Sequence, residues 1–137
     1  MPYGSVLTDT VQSSTAGTPP QFNDGNGTQV GTLCRAWVNF AGASGTVNAS
    51  FNVSSVTRNG AGDYTVNFTN SLTDANYSVV SSFQYTNDNR STFAAMGSEI
   101  RSVTTPFTTS SCRIGTGRTF SPYSLEDALK ATVAVFR

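Results

Sequence analysis

Apolar and polar side chains alternate along several short stretches of the chain, which is the pattern of β-strands with one buried face. The clearest case is Cys34-Arg-Ala-Trp-Val-Asn-Phe40. Successive side chains of a strand point to opposite faces, so this stretch has one uniformly apolar face and one mixed face. The apolar face consists of Cys34, Ala36, Val38 and Phe40. The mixed face consists of Leu33, Arg35, Trp37 and Asn39. Two interpretations of the mixed face stay open: a second packing surface within one subunit, or a subunit interface, where Trp and Arg are enriched.

Further strands are predicted along the rest of the chain, with turn residues between them. Alternation predicts that Val47, Ala49, Phe51 and Val53 share one half-buried face, and that Tyr64, Val66 and Phe68 share another. The Asn-Gly pair within residues 58–62 predicts a hairpin between these strands. The remaining predicted strands cover residues 77–85, 92–96, 99–104, 110–115 and 128–137. The last of these is apolar or small on both faces, which is typical of a central strand.

This succession of strands, with no amphipathic helix, predicts an all-β fold: an antiparallel β-sandwich or barrel-like domain over residues 31–137. Residues 1–30 differ, because their apolar side chains are sparse and Pro19-Pro20 interrupts any regular element. We expect this segment to be an extended arm that attaches the domain to another protein, and the domain to fold without it. The candidate attachment residues are Tyr3, Val6, Leu7, Val11 and Phe22.

The charge balance limits the possible partners. Only 12% of the 137 residues are charged and the formal net charge is zero. Nucleic acid and anionic membrane surfaces are therefore not expected partners, since both require a basic excess. No segment has the length of a membrane span, and the first residues do not resemble a signal peptide. We expect synthesis in a cytoplasm, with Cys34 and Cys112 as free thiols.

The residues of common catalytic sites are missing from the sequence. It contains no histidine, which removes the most frequent general base and most transition-metal sites. The single adjacent acidic pair is Glu126-Asp127, and Gly115-Thr-Gly117 lacks the rest of a phosphate-binding motif. We therefore expect no enzymatic activity, no metal and no cofactor.

One polar turn carries the residue types that bind sugars, namely amides, charges and an aromatic ring. It contains Tyr85, Asn87, Asp88, Asn89 and Arg90. This is the candidate receptor-facing loop. The alternative is an ordinary polar hairpin tip.

Several segments resemble bacteriophage virion proteins of the tail-fibre and minor-structural-protein type. They are Cys34-Arg-Ala-Trp-Val-Asn-Phe40, Ala49-Ser-Phe-Asn-Val-Ser-Ser-Val56, Asn59-Gly-Ala-Gly-Asp-Tyr-Thr-Val-Asn-Phe68, Val133-Ala-Val-Phe-Arg137, Pro2-Tyr-Gly-Ser5 and Pro20-Gln-Phe-Asn-Asp24. The resemblance covers roughly residues 20–85 and the last few, and it is weakest over residues 86–127.

The resemblance implies a trimeric structural protein on the virion surface, most simply a tail-fibre or fibre-tip component that takes part in host attachment. A capsid decoration or cement protein on the head is the alternative. A free, lectin-like carbohydrate-binding module is the alternative from another class. The expected partners are two further copies of the chain, other virion proteins through the arm, and a host surface glycan. The candidate interface residues are Arg35, Trp37 and Phe136.

Overall fold

The structure, a computed structural model, describes residues 7–15, 20–85, 105–118 and 124–137. Within these ranges the chain forms eleven β-strands and no helix. In chain order they are β1 (Phe22–Asn23), β2 (Gln29–Gly31), β3 (Cys34–Phe40), β4 (Val47–Phe51), β5 (Val53–Gly60), β6 (Asp63–Phe68), β7 (Ser78–Gln84), β8 (Ser111–Gly115), β9 (Gly117–Arg118), β10 (Ser124–Leu125) and β11 (Lys130–Phe136). The strands predicted over residues 92–96 and 99–104 lie outside the described residues.

The strands form two larger antiparallel sheets. One has the order β4-β3-β11-β7 and the other has the order β5-β6-β8. Two further sheets, β1-β2 and β9-β10, have two short strands each. This confirms the predicted all-β class, and the two sheets are consistent with a sandwich.

The chain divides into two compact units, Met1–Leu33 and Cys34–Arg137. In the first unit, Asp24 organises the turn between β1 and β2, because its Oδ1 accepts hydrogen bonds from the backbone N–H groups of Asn26 (2.8 Å) and Thr28 (2.9 Å). The predicted boundary at residue 31 and the predicted role of the arm in attachment stay predictions.

Strand β11 lies in the middle of the four-stranded sheet, between β3 and β7. Its pairing places Ala131 opposite Phe40 and Phe83, and Val133 opposite Val38 and Ser81. The sequence predicted a central strand that is buried on both faces. The structure confirms the central position, but only the face with Ala131, Val133 and Val135 is buried. The small and β-branched side chains of β11 allow both neighbours to pack closely against it.

The core of the second unit lies between its two sheets. The alternating residues of β6, Tyr64, Val66 and Phe68, are buried as predicted. The rings of Phe40 in one sheet and Tyr64 in the other meet edge to face, with centroids 5.0 Å apart. Such aromatic pairs contribute roughly 0.5–1.5 kcal/mol beyond the area they bury.

Asn52 carries the chain from one sheet to the other. It has a positive φ of 53°, a conformation that Asn adopts more readily than most residues. Its side-chain amide donates hydrogen bonds to the carbonyl oxygens of Arg35 (3.0 Å) and Asn70 (3.1 Å), which hold this corner. The left-handed residue interrupts the alternation, so Phe51 is exposed whereas Val53 is buried.

The prediction that Val47, Ala49, Phe51 and Val53 share a buried face is therefore wrong. Ala49 and Phe51 are exposed, because β4 pairs with β3 in a register that places Phe51 opposite Trp37 on the outer side of the sheet. Val53 belongs to the other sheet and is buried in its inner face.

The predicted hairpin forms between β5 and β6, which pair from Val53↔Phe68 to Gly60↔Asp63. Its turn needs Gly62, which has a φ of 66° and lies against the backbone of Thr116 and Glu126. A side chain at this position would collide with both, so glycine brings the hairpin tip close to the segment that precedes β11.

Candidate interaction surface

The outer face of the four-stranded sheet carries a line of apolar side chains. Phe51 stands opposite Trp37, Trp37 opposite Ala134, and Ala134 opposite Val80. Directly opposed residues lie on the same face of a sheet, so these four residues, here called the apolar row, cross all four strands. Phe51 is 54% exposed, Trp37 40% and Val80 59%.

Polar groups border the apolar row on the same face. Two residues further along the strands, Asn39 is paired with Ala49 and with Thr132. The side-chain amide of Asn48 in β4 donates a 2.9 Å hydrogen bond to Asn39 Oδ1. The charged residues of the four strands are Arg35, two residues before Trp37 in β3, and Lys130, at the start of β11. These strands contain no Asp or Glu, so their own side chains contribute only positive charge to this face of the sheet.

The outer face of the three-stranded sheet has the opposite character. Asn67 Nδ2 donates hydrogen bonds to Ser55 Oγ (3.0 Å) and Thr57 Oγ1 (3.1 Å). Asn59 Nδ2 donates to Thr65 Oγ1 at 2.9 Å. This surface, here called the polar face, consists of polar side chains that are hydrogen-bonded to one another. The two outer faces therefore differ in what they can bind, and the apolar row is the one suited to a protein partner.

An ion pair completes the polar face. Arg113 of β8 donates from Nε to Asp63 Oδ1 at 2.8 Å, and from NH2 to Oδ2. This bidentate geometry is the strong form of an Arg–carboxylate contact. Hydrogen bonding to Arg113 lowers the pKa of Asp63 below its ordinary value.

Asp127 fixes the segment that leads into β11. Its carboxylate accepts hydrogen bonds from Arg58 Nε (3.0 Å) and NH2 (2.6 Å), from the Gly62 backbone N–H (2.9 Å), and from the Tyr64 hydroxyl (2.8 Å). The hydrogen bond from Arg58 is the main reason that the pKa of Asp127 falls to about 2. Burial, followed by the bond to Asp127, raises the pKa of Tyr64 to about 12.

Close packing and a further hydrogen bond surround Asp127 and its partners. The backbone of Gly42, in the turn between β3 and β4, lies against Ala128 and the Tyr64 hydroxyl so closely that any side chain would collide with them. Thr116 Oγ1 donates a 2.5 Å hydrogen bond to the Glu126 carbonyl oxygen. The start of β11, the strand that carries Ala134, is thus tied to three other parts of the second unit.

The far end of β11 is also fixed by an ion pair. Arg137 donates from Nε to Asp74 Oδ1 (3.0 Å) and from NH2 to Oδ2 (2.6 Å). Hydrogen bonding to Arg137 lowers the pKa of Asp74. Because the side chains of Arg137 and Asp74 are 42% and 34% exposed, water screens this pair and it contributes little stability.

The predicted interface residues lie near one another in the paired strands β3 and β11. Trp37 belongs to the apolar row, Arg35 lies two residues before it, and the half-buried Phe136 pairs with Cys34. Sequence reasoning missed Phe51, which it placed in the core, and Val80, which stands next to a buried valine. The signal that could have found them is the cross-strand register, which a single sequence does not contain.

The structure describes only some of the other predicted site residues. In the arm, Leu7, Val11 and Phe22 are exposed. In the loop, Tyr85 is half-buried. The remaining residues of both sets lie outside the described residues; they are Tyr3, Val6, Asn87, Asp88, Asn89 and Arg90.

Both cysteines are free thiols, Cys34 half-buried and Cys112 buried. Burial raises the pKa of Cys112 to about 12, so its thiol stays protonated at neutral pH. In the described ranges, no three His, Cys, Asp or Glu side chains come together in a way that could hold a metal ion. No helix among those residues could cross a bilayer.

Comparison with known proteins adds no relative to this picture: no family model, no curated protein and no solved structure matches the chain.

Proposed function

We propose that the chain is a structural protein of a bacteriophage virion, exposed on the particle surface as a homotrimer. In this proposal it is a tail-fibre or fibre-tip component involved in host attachment, and its arm binds other virion proteins. Decoration of the capsid head is the alternative location. The virion assignment rests on the resemblance of the segments around Trp37, Val53 and Tyr64 to phage structural proteins.

The observation that carries the self-association is the contrast between the two outer faces. A monomeric domain has no need of a line of Trp, Phe and Val side chains across one sheet when the other sheet has a hydrogen-bonded polar surface. Aromatic side chains of this kind are enriched in the centres of protein interfaces. At about 25 cal/mol per Å², burial of even a few hundred Å² per subunit gives several kcal/mol before the cost of association.

The polar composition of the domain fits a position on the outside of a particle. Its surface polarity comes mainly from Ser, Thr and Asn, and on the polar face these groups are hydrogen-bonded to one another. Three bidentate Arg–Asp pairs connect positions 50 to 69 residues apart in the sequence. Such long-range connections restrict local opening, which benefits a protein that must persist outside a cell.

Light scattering after size-exclusion chromatography tests the oligomeric state, and the proposal expects a mass of three chains. A monomer at micromolar concentration would contradict the homotrimer and favour a free carbohydrate-binding module. Antibody labelling of intact phage particles in electron micrographs tests the location. Label at the tail is expected, label over the head would favour decoration, and particles free of the chain by mass spectrometry would contradict a virion role.

A further inference from the structure

We propose that the apolar row binds residues 7–11 from the N-terminal arm of a second copy of this chain. The inference rests on the self-association in the proposed function and does not depend on its place in a virion. It gives one part of the arm a partner within the oligomer. Phe22 and the candidate residues before Leu7 remain for attachment to other virion proteins.

Residues 7–11 carry exposed apolar side chains that can cover the apolar row. Leu7 is 96% exposed and Val11 is 66% exposed, so most of the surface of both side chains is in contact with water. Phe51, Trp37 and Val80 of the row are exposed as well. Removal of both sets from water in one contact is favourable at about 25 cal/mol per Å² of apolar surface.

The dimensions of the two surfaces match. Adjacent strands of a sheet are about 4.8 Å apart, so the row from Phe51 through Trp37 and Ala134 to Val80 is roughly 14 Å long. Four residues of extended chain cover about 13 Å, which is the separation that Leu7 and Val11 reach when the segment is straight. Leu7 and Val11 can therefore contact opposite ends of the row at the same time.

The charges of the two surfaces are complementary. The four strands that carry the row contain Arg35 and Lys130 and no acidic residue. The first 33 residues contain Asp9 and Asp24 and no Lys or Arg. Asp9 lies between Leu7 and Val11, and Arg35 is two residues from Trp37 in β3, about 7 Å along the strand. A long Arg side chain can cover that distance.

The same charges disfavour direct contact between two copies of the row. A face-to-face dimer would bring two cationic surfaces together with no carboxylate from either sheet between them, and like charges across an interface are costly. The acidic arm removes this conflict. An arm that crosses from one copy to the next can also close a ring of three copies, because each copy supplies one arm and one row.

The test is the mass of full-length variants measured by size-exclusion chromatography with light scattering. Leu7→Asp with Val11→Asp alters the arm segment, and Phe51→Glu with Val80→Glu alters the row at two exposed positions. Both double variants are expected to be monomeric at a concentration where the wild type is oligomeric. Gln12→Asp with Ser14→Asp is the matched control, since it adds the same charge at exposed arm positions outside the segment, and it is expected to keep the wild-type mass.

Mixing distinguishes an arm-to-row contact from other contacts. The arm variant retains a normal row and the row variant retains a normal arm, so a mixture of the two is expected to form a heterodimer that neither forms alone. An arm variant that keeps the wild-type mass would overturn the proposal while leaving the homo-oligomer in place. A monomeric wild type would overturn both. If the row variant fails to fold, the arm variant and its control still decide the outcome.

Discussion

Tyr64 and Asp127 are 63 residues apart in the sequence, and the Tyr64 hydroxyl donates a 2.8 Å hydrogen bond to Asp127 Oδ1. Tyr64 is completely buried in the inner face of β6. Asp127 precedes the central strand β11 by three residues. This bond therefore connects the core of one sheet to the segment that leads into the central strand of the other.

Replacement of Asp127 by alanine is expected to destabilise the second unit by about 1–3 kcal/mol, because a buried Tyr64 hydroxyl and the Gly62 N–H lose their acceptor. Asp127→Asn keeps one acceptor oxygen and should cost less. Urea denaturation followed by circular dichroism measures both values. Equal stability of wild type and Asp127→Ala would show that the cluster does not hold β11. Glu126→Ala is the matched control, since it removes a neighbouring carboxylate without touching these bonds.

Stability is expected to fall in acid. The folded-state pKa of Asp127 is lowered to about 2 by Arg58, and the pKa values of Asp63 and Asp74 are also lowered by their arginine partners. An unfolded Asp titrates near 3.9, about two units above folded Asp127. A lowered folded pKa contributes stability above the unfolded value, and this contribution disappears as the pH falls towards 2.

Urea unfolding at several pH values between about 5 and 2 measures this loss. The free energy of unfolding should decrease over the interval, and the decrease should be smaller in Asp127→Asn, which cannot titrate at that position. A wild-type stability that is constant down to pH 2 would contradict the ion pairs seen in the structure.

The two cysteines should differ in reactivity. Cys112 is buried and burial raises its pKa to about 12, whereas Cys34 is half-buried at the start of β3. Since the thiolate is the reactive species, Cys112 is expected to resist a thiol reagent at pH 8 in the native protein. Two thiols should titrate in denaturant without reductant. Fewer than two, rising to two with reductant, would indicate a disulfide.

Trp37→Ala is expected to affect association more than folding. Because Trp37 is 40% exposed, its loss should cost the unit about 1 kcal/mol or less under conditions where it is monomeric. Truncation of a central Trp at an interface costs about 2 kcal/mol or more of binding free energy, so the affinity between copies should fall roughly 30-fold. Thr57→Ala on the polar face is the control: it removes the hydrogen bond from Asn67 and should leave the association between copies unchanged. An unchanged association constant in Trp37→Ala would exclude this residue from the interface.

The sequence predicts the core strands well, because their side chains alternate without interruption. Tyr64, Val66 and Phe68 are buried for this reason. The same reasoning misplaced Phe51. Its spacing from Val53 is that of residues on one strand face, but the left-handed Asn52 lies between them and redirects the chain into the other sheet.

The candidate surface was only partly predictable for a related reason. Trp37 and Arg35 could be recognised from one strand, because an exposed Trp beside an Arg is typical of interfaces. Their neighbours Phe51 and Val80 come from strands that are adjacent only after folding. The role of Asp127 likewise depends on partners 63 to 69 residues away, which no local pattern indicates.

Trp37 is the only tryptophan in the chain, so its fluorescence reports on the apolar row alone. The most direct measurement is its emission and its quenching by acrylamide as the protein is diluted, with the mass followed in parallel by light scattering. If the row is covered by a second copy, the emission of the oligomer is blue-shifted and protected, and both properties are lost as the mass falls to that of one chain. An oligomer whose Trp37 is quenched as readily as that of the monomer would contradict the account.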